Sequence, residues 1–376
     1  MAKRIAFDAR YINDRYHGIG RYAFRLIEAL AQAAPQTTFF VLRGTARDTR
    51  FDWATLEALP NIHLKKGPSP LFWPQEQLIW PFILRRLGVD LFHSPYFVAP
   101  LLSNVPAIIT IHDLIFERFP QYMPWAHTRP YYRLLMALST RRARRIVSVS
   151  QATAADLQQF YKIPREKIAV CGEAVDPSLA PICDDEEHRR LRKQYGLERP
   201  FVLAVGARRP HKNFQRLVEA FALIEPYCDH DLVFVGPADE RFPDEARQTA
   251  QNLQLDNRVH FLGWAPEADL PGLYSLAQAV AAPSLIEGFG LPVLEAMACG
   301  APVLANDAAS LPEVAGNAAM LVDATNSMAL AMALRHLLSN PSLRRWLAEA
   351  GLQRAAVFTW SGVAEEIVQI YEDLLA

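Results

Sequence analysis

Short runs of β-branched and aromatic residues alternate with segments of helical period along this chain, and the alternation occurs twice. It begins with a strand at Arg4–Asp8, a helix at Gly18–Ala34 and a strand at Thr37–Leu42. Such alternation is typical of parallel sheets whose faces are covered by helices. The pattern stops after Asp176, and a new series starts at Phe201–Val205. The sequence therefore predicts an α/β fold in which one architecture is repeated.

The same patterns predict the other elements of both halves. In the first half the further strands are Ile62–Lys65, Leu91–Ser94, Ala107–Ile111, Arg145–Val149 and Lys167–Val170, and the further helices are Gln75–Leu87, His127–Arg144 and Gln151–Tyr161. In the second half the further strands are Leu232–Val235, Val259–Leu262, Ala279–Ala282, Pro302–Ala305 and Ala319–Val322, and Ser342–Leu375 is helical.

A length of 376 residues also exceeds what one hydrophobic core usually holds. We predict a Rossmann-like first domain at 1–176, a linker with a first helix at 177–198, a Rossmann-like second domain at 199–358 and a last helix at 359–376 that returns to the first domain. Two doubly wound domains facing each other across a cleft would bind ligands at the carboxyl ends of their strands.

Composition excludes several classes of protein. Hydrophobic residues make up 51% and charged residues 21%, and the net charge of −1 favours neither disorder nor general binding to nucleic acid. The four cysteines lack a C-x-x-C spacing, which predicts reduced thiols and no zinc knuckle. No apolar run is long enough to span a bilayer and no signal peptide is evident, so we expect a cytoplasmic protein.

Two glutamates flank a glycine-rich turn in "LIEGFGLPVLE", Leu285–Glu295. A buried strand precedes the turn, and Pro292 stands where the first turn of a helix should begin. Helix amides and a positive macrodipole make such a turn suited to a phosphate, while Glu287 and Glu295 suit hydroxyl groups on either side of it. The alternative is a solvated loop acid and a helix acid that only favours the dipole.

A basic loop follows the first strand of the second half, in "VGARRPHKN", Val205–Asn213. Arg208, Arg209 and Lys212 are expected to converge there and to stabilise charge on a diphosphate. Asn213 is predicted to cap the next helix. Basic loop residues are also commonly just solvated, and that alternative stays open.

A glycine-rich segment, "HGIGRYAF", opens the first helix of the chain. It matches the G-x-G-x-x-A dinucleotide pattern formally, but the long spacing from Asp8 and the missing ribose-binding acid disfavour a dehydrogenase. A phosphate or sugar contact at Gly18 and Gly20, or merely a mobile glycine-rich loop, remain the two interpretations.

A histidine and an aspartate end a central strand of the first half, in "ITIHDLIF". His112 can bind a substrate hydroxyl or act near the reacting centre, and Asp113 can set its tautomer or bind the acceptor. A purely structural histidine is the alternative.

Basic residues also concentrate in "RRARR", Arg141–Arg145, with Arg85, Arg86 and Arg133 elsewhere in the first half. They can contact anionic lipid head groups, or they form a solvated helix end.

Taken in their order along nearly the whole chain, these motifs resemble the GT-B retaining glycosyltransferases of glycosyltransferase family four. The most specific element is the pair Glu287 and Glu295 with the embedded "GFGLP". The family often has Asn-Gly-Val-Asp where this chain has "GEAVD", Gly172–Asp176, and no role is assigned to that turn. The resemblance implies an acceptor-binding first domain and a second domain that binds the nucleotide sugar.

The resemblance also implies roles for individual residues. Arg208 and Lys212 would contact the donor diphosphate, Glu295 the nucleotide ribose and Glu287 the donor sugar, while His112 would lie beside the donor sugar and the acceptor. Asp113 is the candidate on the acceptor side. The other implied donor-binding residues are Gly18, Gly20, Gly206, Trp264, Gly288, Phe289, Gly290 and Leu291.

The predicted reaction is transfer of a hexose, with mannose from GDP-mannose as first choice, to an acceptor hydroxyl with retention and without a metal or other cofactor. A surface polysaccharide or glycolipid is the expected product, and a peripheral contact with the inner membrane face is a further expectation. UDP-glucose or another UDP-hexose is the second choice of donor. A nucleotide-sugar epimerase, a glycogen-type phosphorylase and a non-catalytic nucleotide-sugar-binding protein are the competing functions.

Overall fold

The protein forms two compact units in a computed structural model that describes residues 3–14, 17–46, 48–68, 71–123 and 125–376. The first unit comprises Met1–Glu117, Trp125–Ala174 and Thr359–Ala376. The second comprises Arg118–Pro124 and Val175–Phe358. Each unit is built around one parallel sheet, so the predicted α/β class with two Rossmann-like domains is confirmed.

The first sheet has seven parallel strands in the order β3-β2-β1-β4-β5-β6-β7. Its strands are β1 (Arg4–Asp8), β2 (Thr38–Arg43), β3 (Ile62–Lys66), β4 (Leu91–Ser94), β5 (Ala107–Ile111), β6 (Arg145–Ser148) and β7 (Ile168–Val170). The helices of this half are α1 (His17–Ala33), α2 (Trp53–Glu57), α3 (Pro74–Leu87), α4 (Ile115–Arg118), α5 (Arg129–Arg142) and α6 (Gln151–Tyr161).

The second sheet has six parallel strands in the order β10-β9-β8-β11-β12-β13. Its strands are β8 (Phe201–Val205), β9 (Asp231–Val235), β10 (Val259–Gly263), β11 (Ala279–Ala282), β12 (Val303–Asn306) and β13 (Met320–Val322). The helices are α7 (Asp185–Tyr195), α8 (Phe214–Ile224), α9 (Glu245–Asn252), α10 (Leu270–Leu276), α11 (Leu291–Ala298), α12 (Leu311–Ala315), α13 (Ser327–Ser339), α14 (Pro341–Ala355) and α15 (Trp360–Leu375).

The last helix, α15, packs in the core of the first unit. Tyr371 is 2% exposed, and its hydroxyl lies 2.6 Å from Nδ1 of His93 in β4. Trp360 packs edge to face against Tyr22 of α1 at 5.8 Å. These aromatic contacts, together with a shared hydrophobic cluster, hold the end of the chain in the unit that its beginning forms.

The structure divides the predicted terminal helix Ser342–Leu375 in two. α14 ends at Ala355, and α15 begins at Trp360 after Thr359, whose side-chain oxygen accepts a hydrogen bond from the backbone N–H of Gly362. Thr359 is therefore an N-cap that starts a new helix, because a threonine oxygen satisfies one of the amides that the first turn leaves unpaired. No helix within the described ranges combines the length and apolar character needed to cross a membrane.

Candidate functional site

The strand order of the second unit reverses between β8 and β11, which lie side by side. The chain leaves β8 toward one edge of the sheet and leaves β11 toward the other. In open α/β sheets this switch point opens a crevice at the carboxyl ends of the two strands. The basic loop follows β8 and the glycine-rich turn follows β11, so the topology brings two predicted motifs to one place.

The two loops are tied together by hydrogen bonds. The backbone N–H of Leu285 donates to the carbonyl of His211 at 2.8 Å. Asn213 donates from its side-chain amide to the carbonyls of Pro283 at 3.1 Å and Ala324 at 2.8 Å. Asn213 occupies the N-cap position of α8 as predicted, but with φ +56° its side chain makes no capping hydrogen bond. Its amide instead satisfies carbonyls of the neighbouring loops.

Lys212 and Glu287 form the centre of this site. Nζ of Lys212 lies 2.6 Å from Oε1 of Glu287, and the hydroxyl of Ser284 donates to the same oxygen at 2.6 Å. Burial alone would raise the pKa of Glu287, but the charge of Lys212 and the hydrogen bonds from Lys212 and Ser284 hold it below its usual value. The carboxylate is thus charged and oriented at neutral pH.

His211 lies beside this pair and is itself buried. Burial lowers its pKa to about 4, with Glu287 opposing and Lys212 adding to that effect. The imidazole is therefore neutral at physiological pH. The positive charge next to Glu287 comes from Lys212.

Gly206 and Gly290 shape the two loops around the pair. Gly206 has φ +143°, and a Cβ there would stand 3.3 Å from Cε of Lys212. Gly290 has φ +113° and precedes α11, where a Cβ would meet Cδ2 of Leu311 at 2.7 Å. Both positions need a backbone that residues with a side chain rarely adopt. Lys212 can consequently pack against the backbone that follows β8, and α11 can begin directly at the turn.

The helix that follows the turn presents its amino-terminal end at the switch point. α11 begins at Leu291 with Pro292 in its first turn, as the sequence predicts. The first amides of a helix lack intrahelical acceptors and carry the positive end of the macrodipole. Phe289, which follows Gly288 in the turn, is 6% exposed and packs against Phe358 at 5.8 Å. This end of α11 is suited to an anion.

Glu295 lies one turn into α11 and is buried. Oε2 of Glu295 accepts a hydrogen bond from the hydroxyl of Tyr274 at 2.9 Å, and Tyr274 is itself fully buried in α10. The predicted contact of Glu295 with a ribose stays a prediction. Tyr274 had no signal in the sequence, because a tyrosine within an apolar helix carries no motif.

Arg208 does not join Lys212. Nε of Arg208 lies 3.0 Å from Oδ2 of Asp244, its NH1 donates to the carbonyl of Gly236 at 2.7 Å, and its guanidinium stacks over Phe261 at 5.1 Å. Arg209 pairs separately with Asp239 at 2.9 Å. Each of the three cations therefore has a different acidic partner, since Lys212 pairs with Glu287, and their predicted convergence on a diphosphate stays a prediction.

Backbone pairing explains the direction of Arg208. Residue 208 still forms a parallel bridge with Ala238, and its N–H donates to the carbonyl of Pro237 at 2.9 Å. The side chain of a paired residue points to one face of the sheet. The predicted contact of Arg208 with a diphosphate stays a prediction, and it would have to act from within the pair with Asp244.

His112 follows β5 in the first unit, and both of its ring nitrogens face acceptors. Nδ1 lies 2.8 Å from Oε1 of Glu173, and Nε2 lies 2.9 Å from the carbonyl of Pro95. Burial alone would lower the pKa of His112, but Glu173 and the carbonyl of Pro95 raise it above its usual value. Two acceptors on one ring favour the imidazolium, which donates from both nitrogens.

This arrangement changes the interpretation of His112. Its two ring nitrogens serve contacts within the first unit, so in this conformation neither is directed to a substrate hydroxyl. Glu173 belongs to the "GEAVD" turn, for which the sequence suggested no role. Asp113 accepts a hydrogen bond from the N–H of Ile115 at 3.1 Å at the start of α4, and its predicted acceptor contact stays untested.

Three predicted residues lie at the ends of elements in the two units. Gly18 and Gly20 stand in the first turn of α1, close to the helix start predicted at Gly18, so the alternative of a mobile loop does not describe these two residues. A Cβ at Gly20 would lie 3.0 Å from the carbonyl oxygen of Tyr11, which explains why that turn needs a glycine. Trp264 follows β10 and is 53% exposed.

A buried ionic cluster at the end of β1 was not predicted from the sequence. Arg10 pairs with Asp8 at 2.7 Å and with Glu76 at 2.7 Å, and its guanidinium stacks on Trp80 at 4.7 Å. All four side chains are almost fully buried. The acidic partner Glu76 lies far along the chain on α3, and no local pattern indicates such a pairing. Within the part of the chain that the structure describes, no group of three or more His, Cys, Asp or Glu side chains is arranged to hold a metal ion.

Comparisons with known proteins cover both halves of the chain. The family model for glycosyl transferases group 1 matches residues 186–354, and the model for glycosyltransferase family 4 matches residues 16–179. O-antigen chain mannosyltransferase B of Escherichia coli is 26% identical over 98% of this chain and 99% of its own length. O-antigen chain mannosyltransferase RfbU of Salmonella typhimurium is 30% identical over 75% of this chain and 76% of its own length.

The fold also matches solved structures. HepE of Anabaena, solved in complex with UDP-glucose, superposes with a TM-score of 0.78 at 21% identity, over 98% of this chain and 99% of that one.

Proposed function

This chain belongs to the group 1 glycosyltransferases, and on that premise we propose that it transfers a hexose from a nucleotide diphosphate sugar to an acceptor hydroxyl with retention and without a metal. Membership confirms the resemblance predicted from the motifs and makes the protein a glycosyltransferase. Mannose from GDP-mannose is the proposed donor sugar and base, because the two curated relatives described above are mannosyltransferases.

The Lys212–Glu287 pair at the switch point of the second unit carries the proposal. It combines one fixed cation, one carboxylate held charged and the beginning of a helix within two hydrogen-bonded loops. A diphosphate suits the cation and the helix amides, while a sugar hydroxyl suits the carboxylate. A nucleotide diphosphate sugar has both groups in adjacent positions.

The reaction follows from these contacts. The bond between the anomeric carbon and the diphosphate oxygen breaks, and a bond to the acceptor oxygen forms on the same face of the sugar. The acceptor proton passes to the departing phosphate. Negative charge that develops on the diphosphate is stabilised by Lys212 and the amides of α11, which are in place before the reaction. We propose that these groups perform the role that a divalent ion has in other transferases.

We propose a glycan or lipid-linked glycan as acceptor and a peripheral membrane contact through the first unit. Every large hydrophobic side chain that is exposed in the described part of this unit lies between residues 73 and 138. They are Trp73, Leu78, Ile79, Phe82, Leu102, Trp125, Tyr131, Leu134 and Leu138. The exposed Arg85 and Arg86 lie on the same helix, α3, as three of them. Apolar side chains beside arginines suit an anionic bilayer surface.

A ligand screen tests the donor. Thermal shifts would be measured with GDP, UDP and ADP and with GDP-mannose and UDP-glucose, because a ligand that binds only the native state raises the melting temperature. We expect the largest shift with GDP-mannose. A larger shift with UDP-glucose would replace the proposed donor by the UDP-hexose.

Turnover tests the reaction. Nucleotide release with GDP-mannose and a mannose-terminated acceptor should continue in excess EDTA. Loss of turnover in EDTA that Mg²⁺ restores would contradict the metal-free mechanism. Binding without nucleotide release for any acceptor would instead favour a non-catalytic nucleotide-sugar-binding protein.

A further inference from the structure

A groove of about 700 Å³ lies within the first unit, between α5 and the carboxyl end of α6. Four basic side chains line it: Arg129, Arg133, Arg141 and Lys162. Its volume is within the range of ligand-binding clefts. All of its lining residues belong to the first unit, whereas the Lys212–Glu287 pair belongs to the second.

The groove carries a surplus of positive charge. No acidic side chain is among its described lining residues. The buried carboxylate of Glu117 contacts two of these cations, at 3.3 Å from Nε of Arg133 and 3.8 Å from NH2 of Arg129, and accepts a hydrogen bond from the hydroxyl of Tyr161 at 2.7 Å. One buried carboxylate against four cations leaves a positive surplus, which attracts an anion.

The groove also has an apolar side. Leu134 and Phe160 line it, and Leu134 is 57% exposed. Tyr131 and Leu138 stand three and four residues from Leu134 on α5 and are exposed as well, so the three side chains share one face of the helix. A ligand that places its charge on the cations would therefore have an apolar surface directly beside it.

Lys162, which lines the groove, has an unusual backbone conformation. It ends α6 in the left-handed conformation with φ +55°, where glycine is the usual residue. The chain keeps a long cationic side chain there despite that backbone preference. A Lys162→Gly variant would therefore test the role of the charge, because glycine removes the side chain and readily adopts this backbone conformation.

We infer that this groove binds an anionic amphiphile, in which a phosphate or diphosphate lies against Arg133, Arg141 and Lys162 and an apolar chain lies along Leu134 and Phe160. The binding itself is independent of the proposed transfer. Identification of the amphiphile as the lipid carrier of the acceptor rests on the proposed function. The groove would then hold the carrier phosphate of a lipid-linked acceptor on the first unit.

Isothermal titration calorimetry tests the ligand class on the full chain. The probes are farnesyl diphosphate, inorganic diphosphate and farnesol, each titrated with and without saturating GDP and UDP, which fill the nucleotide site. Farnesyl diphosphate should bind about tenfold more tightly than either other probe, because it alone has both chemical groups. Equal affinity for inorganic diphosphate would overturn the amphiphile, and binding abolished by the nucleotides would place the probe in the donor site instead.

Variants test the location. Lys162→Gly should weaken farnesyl diphosphate binding about tenfold with an unchanged or higher melting temperature, and Leu134→Ser should weaken it without changing the affinity for inorganic diphosphate. Arg345→Gln, an exposed position on α14, is the control with the same loss of charge. Unchanged binding in both groove variants would overturn the site.

The proposed function and the groove can fail separately. Lys162→Gly should raise KM for a lipid-linked acceptor and leave KM for GDP-mannose unchanged. If the wild type shows no transfer but binds farnesyl diphosphate in a Lys162-dependent way, the proposed function fails and the groove stands. If the wild type shows normal transfer but does not bind farnesyl diphosphate in this way, the groove proposal fails and the proposed function stands.

Discussion

Replacing Lys212 by alanine removes the cation that contacts Glu287. Nζ of Lys212 and Oε1 of Glu287 are 2.6 Å apart, and the two side chains are 14% and 15% exposed. Without the lysine, Glu287 keeps the hydroxyl of Ser284 as a donor but loses its charged partner. The variant should thus lose both the stabilising charge for a departing diphosphate and the orientation of the carboxylate.

The expected loss follows from preorganised charge stabilisation. Removing one such donor typically costs about 2–4 kcal/mol in the transition state. At about 1.36 kcal/mol per factor of ten, kcat/KM should fall by about 30- to 1000-fold. Breaking a fully buried ion pair costs about 3–5 kcal/mol of folding free energy. The cost for Lys212→Ala should be smaller, because water reaches both side chains. Activity should therefore fall far more than the folded fraction.

The assay is nucleotide release from the donor at a temperature well below the melting temperature of each variant. Arg209→Ala is the matched control, since Arg209 lies in the same loop with a 45% exposed side chain paired to Asp239. It should retain kcat/KM within a few-fold. Arg208→Ala should lower the melting temperature, because it leaves Asp244 without its closest partner. A folded Lys212→Ala enzyme with kcat/KM within about threefold of wild type would refute the reasoning.

Buried contacts elsewhere in the chain lead to three more expected outcomes. Glu173→Gln should lower the pKa of His112, measured by NMR titration. The variant should lose its full share of folding stability below about pH 6.5, and this loss should vanish as pH rises through the raised native pKa, because only the protonated ring gains from the carboxylate. An equal loss of stability at all pH values would contradict this. Glu76→Ala should lower stability by about 3 kcal/mol in urea unfolding, since Arg10 then keeps Asp8 as its carboxylate partner but loses the second; a loss below about 1 kcal/mol would count against the buried pair. Glu295→Gln should weaken GDP binding about tenfold in calorimetry but leave 2′,3′-dideoxy-GDP unaffected, as the ribose role requires; equal weakening of both nucleotides would exclude that role.

The fold was largely predictable because its signals are local. Each buried parallel strand is a short apolar run, and each covering helix repeats its apolar residues with helical period. Ala279–Ala282, Ala107–Ile111 and Gln151–Tyr161 have the predicted bounds. The break between α14 and α15 was missed because the apolar pattern continues on both sides, and only the cap at Thr359 marks it.

The location of the candidate site could be predicted from the sequence, but most of its ion pairs could not. Motifs after β8 and β11 had to meet, because adjacent parallel strands end at the same edge of a sheet. The ion pairs could not be predicted in the same way, because the carboxylate that pairs with a given cation lies far along the chain. Glu173 with His112 and Asp244 with Arg208 are such pairs, and neither partner lies in the motif that drew attention to the cation.

The pairing also decides which cation is suited to the proposed chemistry. To move fully onto a diphosphate, Arg208 would have to leave Asp244 and the carbonyl of Gly236, from a side chain that is 7% exposed. Breaking this partly exposed pair costs up to about 3–5 kcal/mol, while one stabilising donor returns about 2–4 kcal/mol. The exchange brings no net gain, so Arg208 should stay on Asp244 during the reaction. Lys212 already lies at the switch point beside Glu287, and the charge that lowers the barrier is therefore expected from Lys212 and the first turn of α11.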